Sequence, residues 1–202
     1  MNNYFQNIVC LSLKDRTDRR KQATEELGNQ GINFEFFNAI PGGFSGFNMS
    51  QKLIFGQYKN KGSLLVFEDD VEFLHPWEDV SKSLEELPDD WDMIYFGANV
   101  RQPIERHSDH LLRLKNAWTS HAIGYSEKMV TYLSKNWSGK YTTPFVYDEW
   151  LRVYIQPKFN VFITDPMYCT QRRSFSDLMK TVSNYDIIQR SQKYYAPIER
   201  KI

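Results

Sequence analysis

The segment Leu64–Val71 places the strongest constraint on what this chain can fold into. Four apolar residues lead directly into three adjacent carboxylates, Glu68, Asp69 and Asp70. The apolar run has the length and composition of a buried strand. Carboxylates crowded at the end of a buried strand repel one another and lose hydration, which is unfavourable unless a cation compensates them. The segment therefore predicts either a site for a hard divalent cation, which prefers oxygen ligands, or a solvated acidic turn.

The length and composition indicate one globular domain with a tail. The chain has 202 residues, of which 41% are hydrophobic and 15% aromatic, enough for a sizeable core. We expect residues 1–172 to form the domain and residues 173–202 to form a helical, basic C-terminal tail. The formal net charge is zero, so no overall basic field would recruit nucleic acid.

The charge is nevertheless segregated along the chain. Residues 66–92 contain eleven acidic side chains and one lysine, and residues 172–202 contain seven basic and three acidic side chains. We expect the basic tail to present a solvated helix face, and contact with a phosphorylated or membrane-bound acceptor is the alternative.

Cysteine usage and hydropathy bear on where the protein works. Cys10 and Cys169 each lie in an apolar context, and the pattern predicts two buried free thiols. The first six residues lack the features of a signal peptide, and no stretch approaches the ~18 apolar residues of a membrane span. We expect a soluble cytoplasmic protein, with peripheral contact to the inner face of a membrane left open. The sequence indicates no oligomeric state.

Apolar patterns predict alternating strands and helices in the first half of the chain, the order typical of a parallel α/β sheet. The second half is mixed. Residues 42–47 are expected to form a flexible glycine-rich loop, and residues 100–110 a mobile polar loop. Strands are predicted at residues 8–13, 33–38, 64–67, 93–96, 111–114, 122–125 and 160–164, and helices at about 17–28, 49–60, 77–87, 126–137 and 147–154.

Two of these strand ends carry opposite charge. Arg16 and Arg19 follow the first strand, and the acidic triplet follows the third. Ligands of open α/β sheets bind beyond the carboxyl ends of the strands, so these groups are expected to meet at one edge. Arginines that grip phosphate, together with carboxylates that hold a phosphate-bound metal, suit a nucleoside diphosphate compound.

Taken together, the motifs resemble glycosyltransferase family 25, which includes bacterial lipooligosaccharide and procollagen galactosyltransferases. The resemblance spans roughly residues 5 to 172. Two departures are Ser12, where the family often has Asn, and Gln51, where it often has His, and the chain is short for the family. The segments that carry the resemblance are Ile8–Arg20, Phe36–Gly42, Ser50, Val66–Val71, Trp91–Gly97, Thr119–Lys128, Asp148, Pro166 and Gln171.

The resemblance implies a GT-A-type, Rossmann-like nucleotide-sugar-binding sandwich. It also implies a UDP-sugar donor, often UDP-galactose, and a glycan or glycolipid acceptor such as lipopolysaccharide. Transfer would depend on Mn²⁺ or another divalent cation and would invert the anomeric carbon. The positions implied to bind the nucleotide sugar are Leu13, Arg16, Arg19, Ala39 and Asp69.

Specific roles follow for the acidic residues. We assign the metal to Glu68 and Asp70, because positions two apart on a regular strand point to one side, and Asp69 then faces the other way. A bend at the end of the strand would change this assignment. His121 is a candidate third ligand or else a structural residue. Asp148 is the candidate general base that accepts the proton of the acceptor hydroxyl, with a helix cap or ion pair as its structural alternative. Glu149 is the neighbour that could replace it.

Two other functions compete with a glycosyltransferase. A sugar nucleotidyltransferase usually carries a glycine-rich loop straight after the first strand, and Lys14–Arg20 contains no glycine. A non-catalytic nucleotide- or carbohydrate-binding module on the same fold remains the alternative from a different class.

Overall fold

The structure is a computed structural model that describes residues 4–140 and 146–197. Within these residues the chain forms a mixed α/β fold. A 3₁₀ turn at Trp77–Val80 precedes α3, a π-type turn at Leu151–Ile155 continues α5, and a 3₁₀ turn at Ser191–Tyr194 follows α6. The strands are β1 Asn7–Leu13, β2 Glu35–Ala39, β3 Leu64–Glu68, β4 Val71–Phe73, β5 Met93–Tyr95, β6 Asn99–Val100, β7 Leu111–Arg113, β8 Ala117–Trp118, β9 Ala122–Tyr125, β10 Val161–Thr164, β11 Cys169–Gln171, β12 Ser174–Ser176 and β13 Thr181–Ser183. The helices are α1 Thr17–Asn29, α2 Gly43–Tyr58, α3 Ser81–Glu85, α4 Glu127–Asn136, α5 Tyr147–Trp150 and α6 Asp186–Arg190.

The central sheet has seven strands in the order β2-β1-β3-β9-β5-β10-β7. Strand β1 is parallel to both β2 and β3, and β10 is parallel to β5. Strand β9 is inserted antiparallel between β3 and β5, and β7 is an antiparallel edge strand beside β10. The predicted α/β class is confirmed, and the first three strands are parallel as expected.

Apolar residues on both faces explain why this sheet is buried. Along β1, Val9 and Leu11 join one apolar cluster and Cys10 joins the other, because successive side chains of a strand point to opposite faces. Helices α2 and α4 cover the first face, and α1 with the segment around Trp77 covers the second. Near-continuous apolar runs of this kind are typical of parallel strands covered on both sides.

The segment predicted as a flexible loop at residues 42–47 is instead the first turn and a half of helix α2. The prediction was wrong because the glycines serve packing there. A Cβ on Gly46 would lie 2.2 Å from the carbonyl oxygen of Ile40 and 2.6 Å from that of Pro41. Glycine at this position lets the helix begin directly against the end of β2. The amino end of α2 therefore lies at the same edge of the sheet as the strand ends.

The C-terminal segment differs from the helical tail that the composition suggests. Strands β12 and β13 pair in antiparallel fashion as a hairpin over residues 174–183, and helical turns begin only at Asp186. Residues 198–202 of the predicted tail lie outside the described residues.

The segment predicted as a mobile loop, residues 100–110, begins at the end of β6. It contacts the C-terminal segment, because Ile104 N donates a hydrogen bond to Tyr194 O at 3.0 Å.

Two smaller expectations concern cysteines and the membrane. Cys10 and Cys169 are both free and buried, which confirms the prediction for the thiols. In the described part of the chain, none of the helices combines the length and the apolar character that a membrane crossing requires.

Candidate functional site

The acidic triplet lies beside the end of β1, where the parallel register sets Leu11 opposite Glu68. Asp69 is held from this strand and from helix α1. Its Oδ2 accepts a hydrogen bond from Ser12 Oγ at 2.7 Å, and its Oδ1 accepts one from Arg19 Nη1 at 2.7 Å. The side chains of Arg19 and Asp69 are both buried. The predicted convergence of a cationic and an acidic strand end is therefore present in the structure.

Asp70 and Glu68 have fewer compensating contacts. Asp70 Oδ2 lies 3.5 Å from Arg19 Nη1, and its Oδ1 accepts from Gln171 Nε2 at 3.2 Å. Glu68 Oε1 accepts from Ser120 Oγ at 2.7 Å. Burial, and then the charge of Asp70, raise the pKa of Glu68 to about 8. Burial also raises the pKa of Asp70. One guanidinium thus contacts two of the three carboxyl groups, and Glu68 has no cationic partner among its described contacts.

The strand-like alternation that we expected across the triplet is absent. Strand β3 ends at Glu68, and Asp69 and Asp70 lie in the turn that follows. Because the chain bends there, Asp69 and Asp70 both contact the same nitrogen of Arg19 instead of pointing to opposite sides. Of the two cases considered from the sequence, a regular strand and a strand that bends at its end, the structure shows the second.

The donor set fits a divalent cation that shares its ligands with a bound phosphate. In the part of the chain that the structure describes, no group of three or more His, Cys, Asp or Glu side chains could hold a metal by itself. Glu68 and Asp70 nevertheless line one cleft, and their raised pKa values reflect burial without full compensation by a cation. Mg²⁺ in nucleotide sites is usually held by one or two carboxylates together with substrate phosphates. These two carboxylates are therefore the groups that could hold such an ion.

The cleft itself has an empty volume of about 700 Å³ and is open to solvent. Part of this volume is open solvent at the mouth of the cleft. Six of the predicted site residues line the cleft: Leu13, Arg19, Ala39, Glu68, Asp69 and Asp70. The other three, Arg16, His121 and Asp148, do not line it. The wall contains Leu11, Leu13, Arg19, Ala39, Ile40, Pro41, Gly42, Gly43, Phe47, Glu68, Asp69, Asp70, Gln171, Ser176, Asp177, Leu178 and Tyr185.

One wall of the cleft comes from the hairpin β12–β13 and the residues after it, which sequence reasoning missed. Asp177, in the hairpin turn, forms an ion pair with Arg16. Arg19 Nη2 donates to Ser174 Oγ and to the carbonyl oxygen of Phe175, both at 2.8 Å. The two predicted arginines therefore join the N-terminal helix to this hairpin. The signal that could have revealed the hairpin is the alternation of polar and apolar residues at 174–176 and 181–183.

Asp148 lies in the first turn of α5, near the triplet but outside the cleft wall. Its Oδ2 accepts from the backbone N–H of Thr119 at 3.3 Å and its Oδ1 from that of Glu149 at 2.9 Å. Burial raises the pKa of Asp148, and the charge of Asp148 contributes to the raised pKa of Glu68. The two carboxyl groups are therefore within electrostatic reach of each other.

Glu149, the alternative base, is fully engaged by neighbours. It accepts from Trp118 Nε1 at 2.7 Å and forms a two-point ion pair with Arg152, at 2.6 and 2.8 Å. The hydrogen bond from Arg152, the largest influence, lowers the pKa of Glu149. A carboxylate held in this way is a weaker proton acceptor than its buried neighbour Asp148.

The segment Trp118–His121 connects the two acidic centres. Thr119 has a φ of 77°, a left-handed conformation that is unusual for a β-branched residue. This turn directs the N–H of Thr119 to Asp148, while the next residue, Ser120, donates to Glu68. Such strained positions cluster at functional sites, which agrees with a placement between two carboxyl groups.

His121 is fully buried, and burial lowers its pKa to about 4. Its ring lies on the side of Gly97, where a Cβ would come within 2.7 Å of His121 Nε2 and 1.9 Å of the Cys169 carbonyl oxygen. The carbonyl oxygen of His121 accepts from the backbone N–H of Glu68 at 2.9 Å. The ring does not join Glu68 and Asp70 in a three-ligand group, so its role as a ligand stays a prediction.

Comparison with known families agrees with the resemblance that the sequence motifs predict. The model of glycosyltransferase family 25, described as an LPS biosynthesis protein, matches residues 5–64. This match includes β1, α1, β2 and α2, and it ends four residues before Glu68. The predicted family resemblance is confirmed over these residues. No curated protein matches the sequence of this chain.

Solved structures with the same fold extend the comparison to the rest of the chain. A glycosyltransferase involved in the glycosylation of the major capsid of PBCV-1 aligns with a TM-score of 0.53 at 12% identity, covering 79% of this chain and 81% of that one. The protein A197 from STIV aligns with a TM-score of 0.50 at 9% identity, covering 96% and 98%. At these identities the likeness concerns the fold, and it confirms the predicted GT-A-type architecture.

Proposed function

Starting from the match of residues 5–64 to glycosyltransferase family 25, we propose that this protein is a metal-dependent, inverting glycosyltransferase. It would move a hexose, with galactose as the first candidate, from a UDP-sugar to a hydroxyl of a glycan or glycolipid such as lipopolysaccharide. The observation that carries the proposal is the cleft at the strand ends, where Arg19 contacts Asp69 and Asp70 and Glu68 lines the same wall. The carboxyl groups in its wall are oxygen ligands of the kind that a cation bound to a nucleotide sugar requires.

The diphosphate of the donor would lie against Glu68 and Asp70, which would hold the divalent cation. When bound there, Mn²⁺ or a similar ion would act as a Lewis acid that stabilises the charge of the departing nucleoside diphosphate. Arg19 and Ser12 fix the carboxylate of Asp69 by two hydrogen bonds of 2.7 Å. A carboxylate fixed in this way is a positioned acceptor for the hydroxyl groups of the ribose or the donor sugar.

The nucleoside would lie along the ends of β1 and β2. Leu13 and Ala39 are paired in the parallel register and line the cleft, where they offer an apolar surface to a base or ribose. Helix α2 begins beside them at Gly43, and the glycines at 42 and 43 keep side chains away from this wall. Arg16 would act from the rim, because its guanidinium is paired with Asp177 of the hairpin.

Asp148 would be the general base. In a single-displacement transfer, the acceptor oxygen bonds to the anomeric carbon as the bond to the diphosphate oxygen breaks, through an oxocarbenium-like transition state. The proton of the acceptor hydroxyl passes to Asp148. The described contacts of Asp148 are with backbone N–H groups and include no cationic side chain, and burial raises its pKa. A carboxylate with these properties holds a proton more readily than the ion-paired Glu149.

A nucleotide-sugar-binding module without transfer activity is the second candidate. The contact that favours it is the ion pair of Arg19 with Asp69, since an internal cation already compensates part of the triplet. Such a module would bind a UDP-sugar in the same cleft and would release no UDP.

Release of UDP from UDP-galactose, followed with and without Mn²⁺, tests the proposal. We expect slow Mn²⁺-dependent hydrolysis that is lost in Asp70→Asn and kept in Glu25→Gln, a control at an exposed carboxylate of α1. Thermal shifts with the same ligands report binding, because a ligand at 100 times its Kd stabilises the folded state by about 2.7 kcal/mol. Binding without release would indicate the binding module. Neither binding nor release across a panel of UDP-sugars would overturn the proposal.

A further inference from the structure

The hairpin β12–β13 presents large apolar side chains to solvent on one face. Phe175 and Val182 are directly opposite each other in the antiparallel register, and they are 47% and 59% exposed. Met179, in the turn between the strands, is 61% exposed. Residues opposite each other on paired strands project to the same side, so Phe175 and Val182 form one apolar surface. We call these three residues the apolar face of the hairpin.

The opposite side of the same hairpin faces the cleft. Ser176 is buried and lines the cleft together with Asp177 and Leu178 of the turn. An isolated two-stranded hairpin is marginally stable in water, so the contacts from Arg16 and Arg19 are what hold it in place. The hairpin thus has one side on the cleft and its apolar face turned outwards.

The charges around the apolar face are positive. Arg173 and Lys180 are exposed, and within the described residues neither side chain has a hydrogen bond or an ion pair to a carboxylate. Asp177, the acidic residue of the hairpin, is paired with Arg16. Apolar side chains flanked by unpaired cations are the combination that inserts at the surface of an anionic bilayer, where each Lys or Arg adds to binding.

We propose that the hairpin of residues 174–183 is a membrane-docking element, whose apolar face inserts into the interface of an anionic lipid surface while Arg173 and Lys180 contact the lipid head groups. Docking in this orientation would bring the rim of the cleft to the membrane, where a lipid-linked acceptor would be presented. The inference goes beyond the proposed reaction, because lipid binding requires neither donor nor turnover.

Co-sedimentation of the full chain with vesicles tests the inference. We expect the protein to partition onto vesicles of phosphatidylcholine and phosphatidylglycerol at 3:1 at least about tenfold more strongly than onto phosphatidylcholine alone. The triple variant Phe175→Ser, Met179→Ser, Val182→Ser should lower this partitioning about tenfold. The matched control is Leu53→Ser on α2, whose side chain is 46% exposed, and it should partition as the unmodified chain does.

A second variant keeps the test valid if the triple variant is unstable. Arg173→Gln with Lys180→Gln changes no packed residue and should remove the preference for phosphatidylglycerol. Equal partitioning of the unmodified chain and both variants would overturn the inference. A second result would also overturn the inference: the protein does not bind vesicles, and sedimentation equilibrium shows a dimer that the triple variant converts to a monomer. The apolar face would then join two copies of the chain.

Discussion

Arg19 Nη1 lies 2.7 Å from Oδ1 of Asp69, and both side chains are buried at the ends of neighbouring elements, α1 and β3. The same nitrogen is 3.5 Å from Asp70 Oδ2. One cation therefore holds the acidic turn together before any ligand binds. Because a third carboxyl group, Glu68, has no cationic partner among its described contacts, the compensation is incomplete.

Replacing Arg19 by Met should destabilise the fold strongly. Breaking a buried ion pair leaves uncompensated buried charge and costs about 3–5 kcal/mol of unfolding free energy, which urea denaturation measures. The control is Lys21→Met on the same helix, where an exposed pair with Glu25 at 3.9 Å should contribute less than about 0.5 kcal/mol. A loss below about 1 kcal/mol for Arg19→Met would show that the pair does not secure the turn.

Replacing Asp148 by Asn should lower turnover about 10²–10⁴-fold, the usual contribution of a general base. Asn keeps a carbonyl oxygen that can accept from the backbone N–H of Thr119 or Glu149, so the fold and donor binding should change little. Turnover is measured with UDP-galactose and an acceptor, and donor binding by thermal shift. Glu149→Gln is the matched comparison and should lose less than tenfold. The assignment fails if Glu149→Gln is the slower of the two variants.

His121 should make stability depend on pH in a defined direction. Its pKa is about 4 in the folded protein and about 6.5 in an unfolded chain, so the unfolded state binds more protons between these values. The contribution of His121 to stability is complete above pH 6.5 and is lost, by about 3 kcal/mol, as the pH falls to 4.

Urea denaturation of the unmodified chain and of His121→Asn between pH 4 and pH 7.5 isolates this contribution. The unfolding free energy of the unmodified chain should fall towards acid more steeply than that of the variant. The difference between the two curves removes the opposite slope from Glu68, whose raised pKa lowers stability as the pH rises from 4.5 to 8. If the unfolding free energies of the two proteins fell in parallel with pH, His121 would be taking up a proton in the folded state as readily as in the unfolded state.

Gly46→Ala should be much more harmful than Gly56→Ala in the same helix. The first Cβ would meet the Ile40 carbonyl oxygen at 2.2 Å, whereas a Cβ on Gly56 meets nothing within 4 Å. We expect Gly46→Ala to cost about 1–3 kcal/mol through overpacking and Gly56→Ala to stabilise the fold by about 0.5–1 kcal/mol. Thermal and urea denaturation measure both. Similar stabilities of the two variants would contradict the close approach of α2 to β2.

The strands of the central sheet could be predicted from the sequence where they are continuous runs of buried apolar residues. The apolar runs that became β1, β3, β5, β9 and β10 are long enough to be recognised, and each lies where it was predicted. The start of α2 was missed because Gly42 and Gly43 are typical of a loop. Both do have the positive φ that glycine favours, 121° and 59°, but the helix begins at Gly43 because it packs against the end of β2, which no local pattern records.

The sequence predicted only those site residues that directly follow a recognisable strand. The triplet and Arg19 follow strands that the sequence reveals, and the parallel topology brings them together. Ser120 and Gln171 bind the triplet from 52 and 101 residues away, and Asp177 contacts Arg16 across 161 residues. Contacts of such sequence separation depend on the completed fold. Whether the chain bends after Glu68 could not be decided from the sequence, because period-two alternation holds only while the strand continues.

The antiparallel course of β9 has a consequence for engineering. Because this strand runs opposite to β3, the residues that enter it, Thr119 and Ser120, arrive at the triplet rather than at the far edge of the sheet. This short segment thus contacts both Glu68, which we assign to the cation, and Asp148, which we assign as the proton acceptor. Chimeras that exchange the second half of this chain for that of a relative would have to keep residues 118–125 with β3, since a junction between them separates groups that must work in concert.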